Sequence, residues 1–427
     1  MKFFKVRLLI ISILCVISVL QLDAQKKLKS KEQLKKATVY RSLEDASYAK
    51  KKVYILNLDG QSLNEIPDVV FKMKNLQELY LRTNNITSIP EEIFLLTNLQ
   101  KLMLGENKIE VVPSSIEKLI NLEELDLFMN AISSLPGELS NCTKLKKLDI
   151  SNNSLTQLPE SLGNLNNLTD LFVAQNKLTG LPSSIGNCSK LSNVRLWKNA
   201  LTELPASFCK LTNITDLNLS ENSLQSLPDC FGDMSGLIKL NLNKNKLIEI
   251  PGSFSLLTNL EELNISNNKL KKIKGESVNI ESLIKIDASI NEISSISFSN
   301  GQLPNLQIFE LELNRISDLS PFFNLKSLVT LNLSRNNIDK IEEGIGNLKQ
   351  LQYLYLNDNK IYSVNKGIGG LSQLQYLDLS NNKIILLQRE IGQMKALTDL
   401  HLENNKFSSY QKKNVKKYIP SQTKVYF

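Results

Sequence analysis

The sequence offers one small group of side chains that could move a proton, around its only histidine. His401 lies between Asp399 and Glu403, and an imidazole beside carboxylates can act as a general acid or base. The G-x-S-x-G, C-x-x-C, H-E-x-x-H and phosphate-loop motifs of common enzyme classes are absent from the sequence. We interpret the three residues as variable surface positions and predict no catalytic residue, no metal site and no cofactor.

The element that must position these side chains is a repeat marked by an asparagine every 23 residues. Its frame is L-x-x-L-x-L-x-x-N-x-L-x-x-[LI]-P, with one step of 22 residues between Asn314 and Asn336. Gln61 takes the position in the first of about 16 units. A buried asparagine at a turn can satisfy backbone groups, so we assign all of them a structural role. The asparagines are Asn84, Asn107, Asn130, Asn153, Asn176, Asn199, Asn222, Asn245, Asn268, Asn291, Asn314, Asn336, Asn359, Asn382 and Asn405.

Each unit reads as a short strand followed by a return. Leu125 and Leu127 alternate with polar or outward residues, a period of two that predicts a strand with its leucines inward. Proline follows the asparagine by six residues up to Pro251, and a helical turn such as Ser183–Asn187 should come next. From Lys274 onward that position holds no proline, so the outer return should change character there.

The repeat resembles the 23-residue leucine-rich repeats of the Ras-suppressor and plant intracellular Ras-group type, and those of secreted bacterial proteins. The resemblance covers about residues 53–427. It implies an α/β fold, a leucine-rich repeat solenoid (horseshoe) with a parallel β-sheet on the concave face and short helical turns on the convex face. Such a solenoid generally holds a partner, although the fold does not identify that partner.

The two ends of the chain differ from the repeats. Residues 1–24 read as a secretory signal, with Lys2, Lys5 and Arg7 before an apolar run that is short for a spanning helix. An uncleaved anchor is the alternative. We expect a secreted, cell-surface or periplasmic protein with a basic segment and cap at 25–52, the repeat array at 53–405 and a C-terminal cap at 406–427.

The positive charge lies in the caps rather than in the repeats. The net charge is +8, yet residues 53–405 hold 32 basic and 39 acidic residues. We therefore predict no nucleic-acid partner, while the basic termini could associate with a membrane or cell surface. We expect residues 26–38 to be disordered. We expect Ser42–Lys50 to form a short helix that covers the first repeat through Leu43 and Tyr48. At the other end, Tyr410–Tyr418 should form a closing helix and residues 423–427 an edge strand.

Four cysteines follow the signal: Cys142, Cys188, Cys209 and Cys230. Cys142 and Cys188 share a repeat offset two units apart, near 10 Å by strand spacing, whereas a disulfide needs Cα atoms within about 7 Å. Cys188, Cys209 and Cys230 lie in successive units at different offsets, which allows a bridge without indicating one. We interpret all four as small buried apolar residues and predict that folding requires no disulfide.

Candidate partner-binding residues occupy positions six, four, two and one before the asparagine, which face outward on the sheet. Large aromatic and charged side chains gather there in the early units, and such residues dominate binding at interfaces. The alternative is that these columns tolerate aromatics or that the rings cover one another. The set is Tyr80, Arg82, Met103, Phe128, Met129, Phe172, Arg195, Trp197 and Lys198.

Weaker candidates lie later in the chain. Tyr353, Tyr355 and Tyr376 form a second outward cluster, and an acidic stretch of Asp287, Glu310 and Glu312 could suit a basic partner. We predict protein–protein recognition through the concave face, with a glycan as the less favoured ligand. A Ras-suppressor-like scaffold that modulates a GTPase or phosphatase is the alternative function.

Overall fold

The structure, a computed structural model, describes residues 28–427. The predicted signal at 1–24 lies outside the described residues. The chain forms two compact units, one ending at Lys177 and the other spanning Leu178–Phe427. Within residues 28–427, no helix combines the length and the apolar character needed to cross a membrane.

The first unit is a parallel sheet built from strands one repeat apart, preceded by short helices. In the sheet, Leu79 pairs with Leu102, Leu102 with Leu125 and Leu125 with Leu148. Each partner lies 23 residues further on, so the repeat period is the sheet register. The elements are α1 (Lys31–Lys35), β1 (Val39–Tyr40), α2 (Leu43–Tyr48), β2 (Ile55–Asn57), β3 (Glu78–Tyr80), β4 (Lys101–Met103), β5 (Glu124–Asp126), β6 (Lys147–Asp149) and β7 (Asp170–Phe172).

The second unit continues the same pattern of strands and ends in a helix and an edge strand. Its main strands are β8 (Asn193–Arg195), β9 (Asp216–Asn218), β10 (Lys239–Asn241), β11 (Glu262–Asn264), β13 (Lys285–Asp287), β15 (Ile308–Glu310), β16 (Thr330–Asn332), β18 (Tyr353–Tyr355), β20 (Tyr376–Asp378), β21 (Asp399–His401) and β22 (Lys424–Tyr426), with α3 (Ser409–Tyr418) before β22. These strands pair in parallel in that order. The leucine-rich repeat fold predicted from the sequence is thereby confirmed.

Short 3₁₀ helices form the opposite side of both units, as the proline pattern predicts. Most begin directly after the proline, because its fixed φ suits the residue before a helical turn. The helix expected at Ser183–Asn187 is present. The 3₁₀ segments are 50–52, 70–72, 91–95, 114–118, 137–141, 160–164, 183–187, 206–210, 229–233, 252–256, 275–277, 320–322, 343–347, 366–370 and 389–393.

The return side changes where the prolines stop, as expected. There β12 (Lys272–Lys274) pairs with β14 (Ser295–Ser297), and β17 (Lys340–Ile341) pairs with β19 (Ser363–Val364). A proline cannot donate the backbone hydrogen bond that such a ladder needs. Losing the prolines therefore allows small second sheets on that side of the second unit.

The asparagines bond as a structural ladder. The Nδ2 of Asn84 donates to the carbonyl of Leu58 in the preceding repeat (2.9 Å) and to that of Leu81 (3.0 Å), while its Oδ1 accepts from the Leu63 N–H (2.9 Å). Asn245 repeats the arrangement in the second unit. Each side chain ties its own turn to the unit before it, so buried backbone groups are paired.

The residue before each asparagine has a positive φ, which the repeat pattern did not lead us to expect. Met129 has φ 52°, Lys198 has φ 57° and Ile290 has φ 54°. This left-handed conformation costs a non-glycine residue about 1–2 kcal/mol. The repeat therefore stores some backbone strain at one outward position in each unit.

The interpretation of Cys209 and Cys230 as ordinary buried residues is wrong, because they form a disulfide with Cα atoms 5.9 Å apart. Cys209 is the fourth residue of one 3₁₀ helix and Cys230 the second residue of the next. Stacking places those two positions against each other. Cys142 and Cys188 are buried, and burial raises the pKa of their thiols to about 12 and about 11.

The helix and strand predicted near the C-terminus are present, whereas the prediction near the N-terminus is corrected. The predicted closing helix and edge strand are α3 and β22. Residues 31–35 are helical rather than disordered, because Ser30 and Gln33 form a capping box and Leu34 is buried. Tyr48 does not cover the first repeat, since it is 84% exposed; Ala46 is the buried residue of α2.

A carboxylate on the sheet offsets part of the positive charge of the basic N-terminal segment. Lys31 lies 3.4 Å from Glu123, and Lys146 lies 2.7 Å from the same carboxylate oxygen. Burial alone would raise the pKa of Glu123, but these two cations lower it below its ordinary value. Lys29 also stacks over the ring of Tyr54, 4.0 Å from its centroid. These lysines stabilise the cap on the first unit.

Candidate partner-binding face

The nine predicted binding residues do not form one surface within either unit. Six of them, from Tyr80 to Phe172, belong to the first unit; Arg195, Trp197 and Lys198 belong to the second. Two are also not exposed as predicted. Met103 and Phe172 are each 5% exposed, so they are buried on the sheet face.

Neighbouring strands explain that burial. Met103 lies in register between Tyr80 and Asp126, and Lys147 places its ammonium 5.3 Å from the centroid of the Phe172 ring. In a sheet, side chains that are directly opposite one another, as Tyr80 and Met103 are, or diagonal, as Lys147 and Phe172 are, come close enough to cover each other. The alternative that outward side chains cover one another therefore holds for these two residues.

Arg82 serves an internal contact. Its Nε donates to Oδ2 of Asp126 at 2.6 Å, and the Asp126 residue is buried. Gly105 lies next to this pair, since a Cβ added there would lie 3.1 Å from the Asp126 carboxylate oxygens. A buried carboxylate needs such a cation, so Arg82 first of all stabilises the fold.

The remaining members offer more surface. Met129 is 49% exposed and stands at a position with a left-handed backbone. Tyr80 and Phe128 are half-buried, and the Tyr80 hydroxyl donates to Glu78 at 2.8 Å. In the second unit Trp197 is half-buried, whereas Arg195 and Lys198 are exposed.

The second unit carries a row of four aromatic rings on neighbouring strands, which we call the tyrosine ladder: Tyr355, Tyr376, His401 and Tyr426. Successive ring centroids are 5.1, 5.2 and 4.4 Å apart. That spacing is close to the ~4.8 Å between strands, so each ring comes from the next strand of the sheet. The sequence analysis named Tyr355 and Tyr376 as part of an outward cluster but did not group His401 and Tyr426 with them. Tyr426 lies outside the repeat frame.

Carboxylates surround the tyrosine ladder. Burial, and then the charge of Asp378, raise the pKa of Tyr376 to about 12. Burial also raises the pKa of Glu310, with Asp287 as the strongest charged neighbour acting in that direction. His401 places Nδ1 3.2 Å from Oε1 of Glu403. The ladder therefore lies in a region of negative potential.

The position four before the asparagine has a structural role that sequence reasoning missed. Oδ1 of Asn332 accepts from the backbone N–H of Ser334 (3.0 Å), and Oδ1 of Asp378 accepts from that of Ser380 (2.9 Å). Asn and Asp are favoured in turns because they make this bond. The two residue types hold the same turn and differ in the charge they present.

His401 belongs to the ladder and shows no arrangement of a metal centre. Among the described residues, no cluster of three or more His, Cys, Asp or Glu side chains could hold a metal ion. The observed partners of His401 are Glu403 and two aromatic rings, which suit recognition of a ligand by contact.

Comparison with known proteins identifies the repeat family. A model described as "Leucine-rich repeat region" matches residues 11–178 and 279–419. Models described as "Leucine rich repeat" match residues 189–247 and 259–280. No curated protein sequence matches the chain.

Solved structures give the same result. A leucine-rich repeat protein of Leptospira interrogans is 34% identical with a TM-score of 0.74, over 91% of this chain and 100% of that one. The plant peptide hormone receptor RGFR1, solved in complex with RGF2, is 29% identical with a TM-score of 0.65, over 84% of this chain and 64% of the receptor. The functional domain of InlJ from Listeria monocytogenes is 21% identical with a TM-score of 0.66, over 83% and 75% of the two chains, a likeness of fold alone.

Proposed function

The chain belongs to the leucine-rich repeat family, and from that premise we propose that it is an exported protein that recognises another protein through its sheet face. Repeat proteins of this family are generally non-enzymatic binding scaffolds, because stacked units present one long row of outward side chains. The plant receptor that resembles this chain was solved with a peptide hormone, which supports a protein or peptide ligand.

The observation that carries the proposal is the tyrosine ladder. Leu354, Leu377 and Leu400 on the inner side of the same strands are completely buried, so the core is closed without the outward rings. Tyr353 and Tyr426 are exposed. Aromatic rings that the core does not need, grouped on one face, are typical of an interface.

Export is supported by two independent features. The n-region and apolar run of residues 1–24 have the pattern of a secretory signal. The Cys209–Cys230 disulfide is the kind of bond that persists in oxidising compartments. The same bond weighs against a cytosolic scaffold that modulates a GTPase or phosphatase. Sequencing the natural protein should find an N-terminus near Gln25, and a full-length cytosolic product would refute export.

Site-specific cross-linking tests which face binds. A photoreactive phenylalanine is placed at Met129 or Tyr353 on the sheet face. As the matched control, the same photoreactive residue is placed at Leu95 or Leu256, which are exposed on 3₁₀ helices. The variants are incubated with washed cells and culture fluid of the producing organism. The sheet-face positions should link to one protein that the controls do not reach. Links only from Leu95 and Leu256 would refute the proposal.

A further inference from the structure

We propose that the tyrosine ladder and the carboxylates around it bind an extended, arginine-rich segment of the partner protein. This inference rests on the proposed recognition function and names the chemistry of its ligand. The occupant is a peptide segment, and it lies across the strands along the ladder.

The first argument for a basic ligand is the negative charge of this face. At the four outward positions of the last six asparagine-marked repeats, the sequence places seven carboxylates against two cations, a net charge of −5 on a protein of net charge +8. Lys424 on the edge strand, opposite Asp399, adds one cation. The carboxylates are Asp287, Glu310, Glu312, Asp358, Asp378, Asp399 and Glu403, and the cations are Lys285 and Arg335.

Internal ion pairs do not neutralise the face. Arg335 lies 3.6 Å from Glu312 and 4.0 Å from Asp358, so its positive charge is shared between those two acids. Near the ladder, Asp378 receives hydrogen bonds from Ser380 and Glu403 contacts His401. These partners are a backbone N–H, a hydroxyl and an imidazole ring, and none of them is a lysine or an arginine. A complementary partner would therefore be cationic, since matched potentials bring interfaces together.

The aromatic rings select among cations. The first two pairs of rings are tilted by 39° rather than flat against each other. A guanidinium is planar, stacks on aromatic rings and bonds a carboxylate with two donors. Arginine can therefore use a ring and a neighbouring acid such as Asp378 at once. A lysine ammonium is more strongly hydrated and lacks the planar surface.

The dimensions of the ladder fit an extended chain. Four rings on four neighbouring strands span about 14 Å at ~4.8 Å per strand. Side chains on one side of an extended peptide are about 7 Å apart, because each residue advances ~3.4 Å. Three alternate arginines would therefore cover the ladder from Tyr355 to Tyr426. A neutral oligosaccharide could stack on the same rings and donate hydroxyl hydrogen bonds to the acids, but it carries no positive charge to match theirs.

The test uses a fluorescein-labelled peptide in which three arginines alternate with serine, added to the protein from residue 25 onward. Fluorescence anisotropy measures binding at low and high salt. The matched ligand replaces each arginine by citrulline, which keeps the shape and loses the charge. We expect the citrulline peptide to bind at least about tenfold more weakly, and added salt to weaken the arginine peptide.

Variants of the protein locate the binding. Asp378→Asn with Glu310→Gln removes two charges, and the amide that Asp378→Asn introduces can hold the same turn that Asn332 holds in its own repeat. We expect affinity for the arginine peptide to fall at least about fivefold. Asp149→Asn is the control, because Asp149 makes the same turn in the first unit. It should leave affinity unchanged.

The ring is tested separately. Tyr376→Leu should weaken binding, whereas Tyr376→Phe should retain most of it, and circular dichroism checks that each variant is folded. Equal binding of the two peptides, or an equal loss in Asp149→Asn, would overturn the inference. So would binding of a labelled neutral oligosaccharide in place of the peptide. If the sheet face still cross-links at Tyr353 after such a result, the proposed function stands and only the basic ligand is rejected.

Discussion

Cys209 and Cys230 are joined because the fourth residue of one 3₁₀ helix packs against the second residue of the next. The same relationship recurs where Gly186 packs against Ser207 and Gly232 against Ser253. The disulfide is therefore one instance of a contact that the repeat makes again and again.

Reduction of this disulfide should destabilise the second unit. The bond closes a loop with a sequence separation of 21 residues, and a loop of that size contributes about 3 kcal/mol in the chain-entropy model. The midpoint of urea unfolding should fall when dithiothreitol is added to the parent protein. In the Cys209→Ser, Cys230→Ser double variant the reductant should change nothing, and an effect there would point to another cause.

Gly232→Ala should destabilise the protein by about 1–3 kcal/mol. An added Cβ would collide with the Ser253 carbonyl oxygen, which is backbone and cannot turn aside. Gly180→Ala is the matched control, because a Cβ there meets no atom within 4 Å. Thermal unfolding compares the two variants. Equal midpoints would show that the stacked 3₁₀ helices are looser than the structure indicates.

Ile290→Asn should stabilise the protein by about 1 kcal/mol. Ile290 is β-branched yet has φ 54°, and asparagine already occupies the same repeat position at Asn267 and Asn381. Asparagine tolerates this conformation better than isoleucine does. Ile248→Asn is the control, because it changes an exposed isoleucine outside the positive-φ set. A gain of the same size in Ile248→Asn would mean that polarity, rather than φ, is responsible.

Glu310→Gln should raise the thermal midpoint at neutral pH. Burial, and then Asp287 and Glu312, hold the pKa of Glu310 above its ordinary value of 4.5. A carboxyl group with a raised folded pKa costs stability when it is charged, and that cost disappears as pH falls through the folded pKa. The advantage of the variant should therefore shrink as the pH falls through the folded pKa toward 4.5, and it should be absent below 4.5, where Glu310 is protonated in both states. Glu249→Gln, at an exposed carboxylate, is the control; an advantage that grows with acid would contradict the assignment.

The period of 23 residues was enough to predict the strands, their parallel sheet, the structural role of the asparagines and the helical turn at Ser183–Asn187. These depend on interactions that every unit repeats, so one unit is a template for all. The change of the return side after Lys274 was also readable, because proline has a local and strong effect on the backbone.

The sequence did not reveal contacts between different positions of nearby units. The disulfide needs knowledge of which 3₁₀ positions pack together, and the burial of Phe172 depends on Lys147 in the strand before it. Asp126 is held by Arg82, 44 residues earlier. Tyr426 joins the ladder through an edge strand that follows no repeat frame. Each of these is a lateral relationship that a single unit does not contain.

The asparagine side chains also determine how the molecule would respond to force. The amides of Asn84 and Asn245 each bond a carbonyl 26 residues earlier, in the preceding unit, so a unit can leave the end of the stack only after such a bond breaks. Pulling on the termini should release the chain in steps of about 75 Å, the length of one extended repeat. The Cys209–Cys230 bond should shorten one such step until it is reduced. The length of that step would therefore report whether the surroundings keep this disulfide oxidised or reduced.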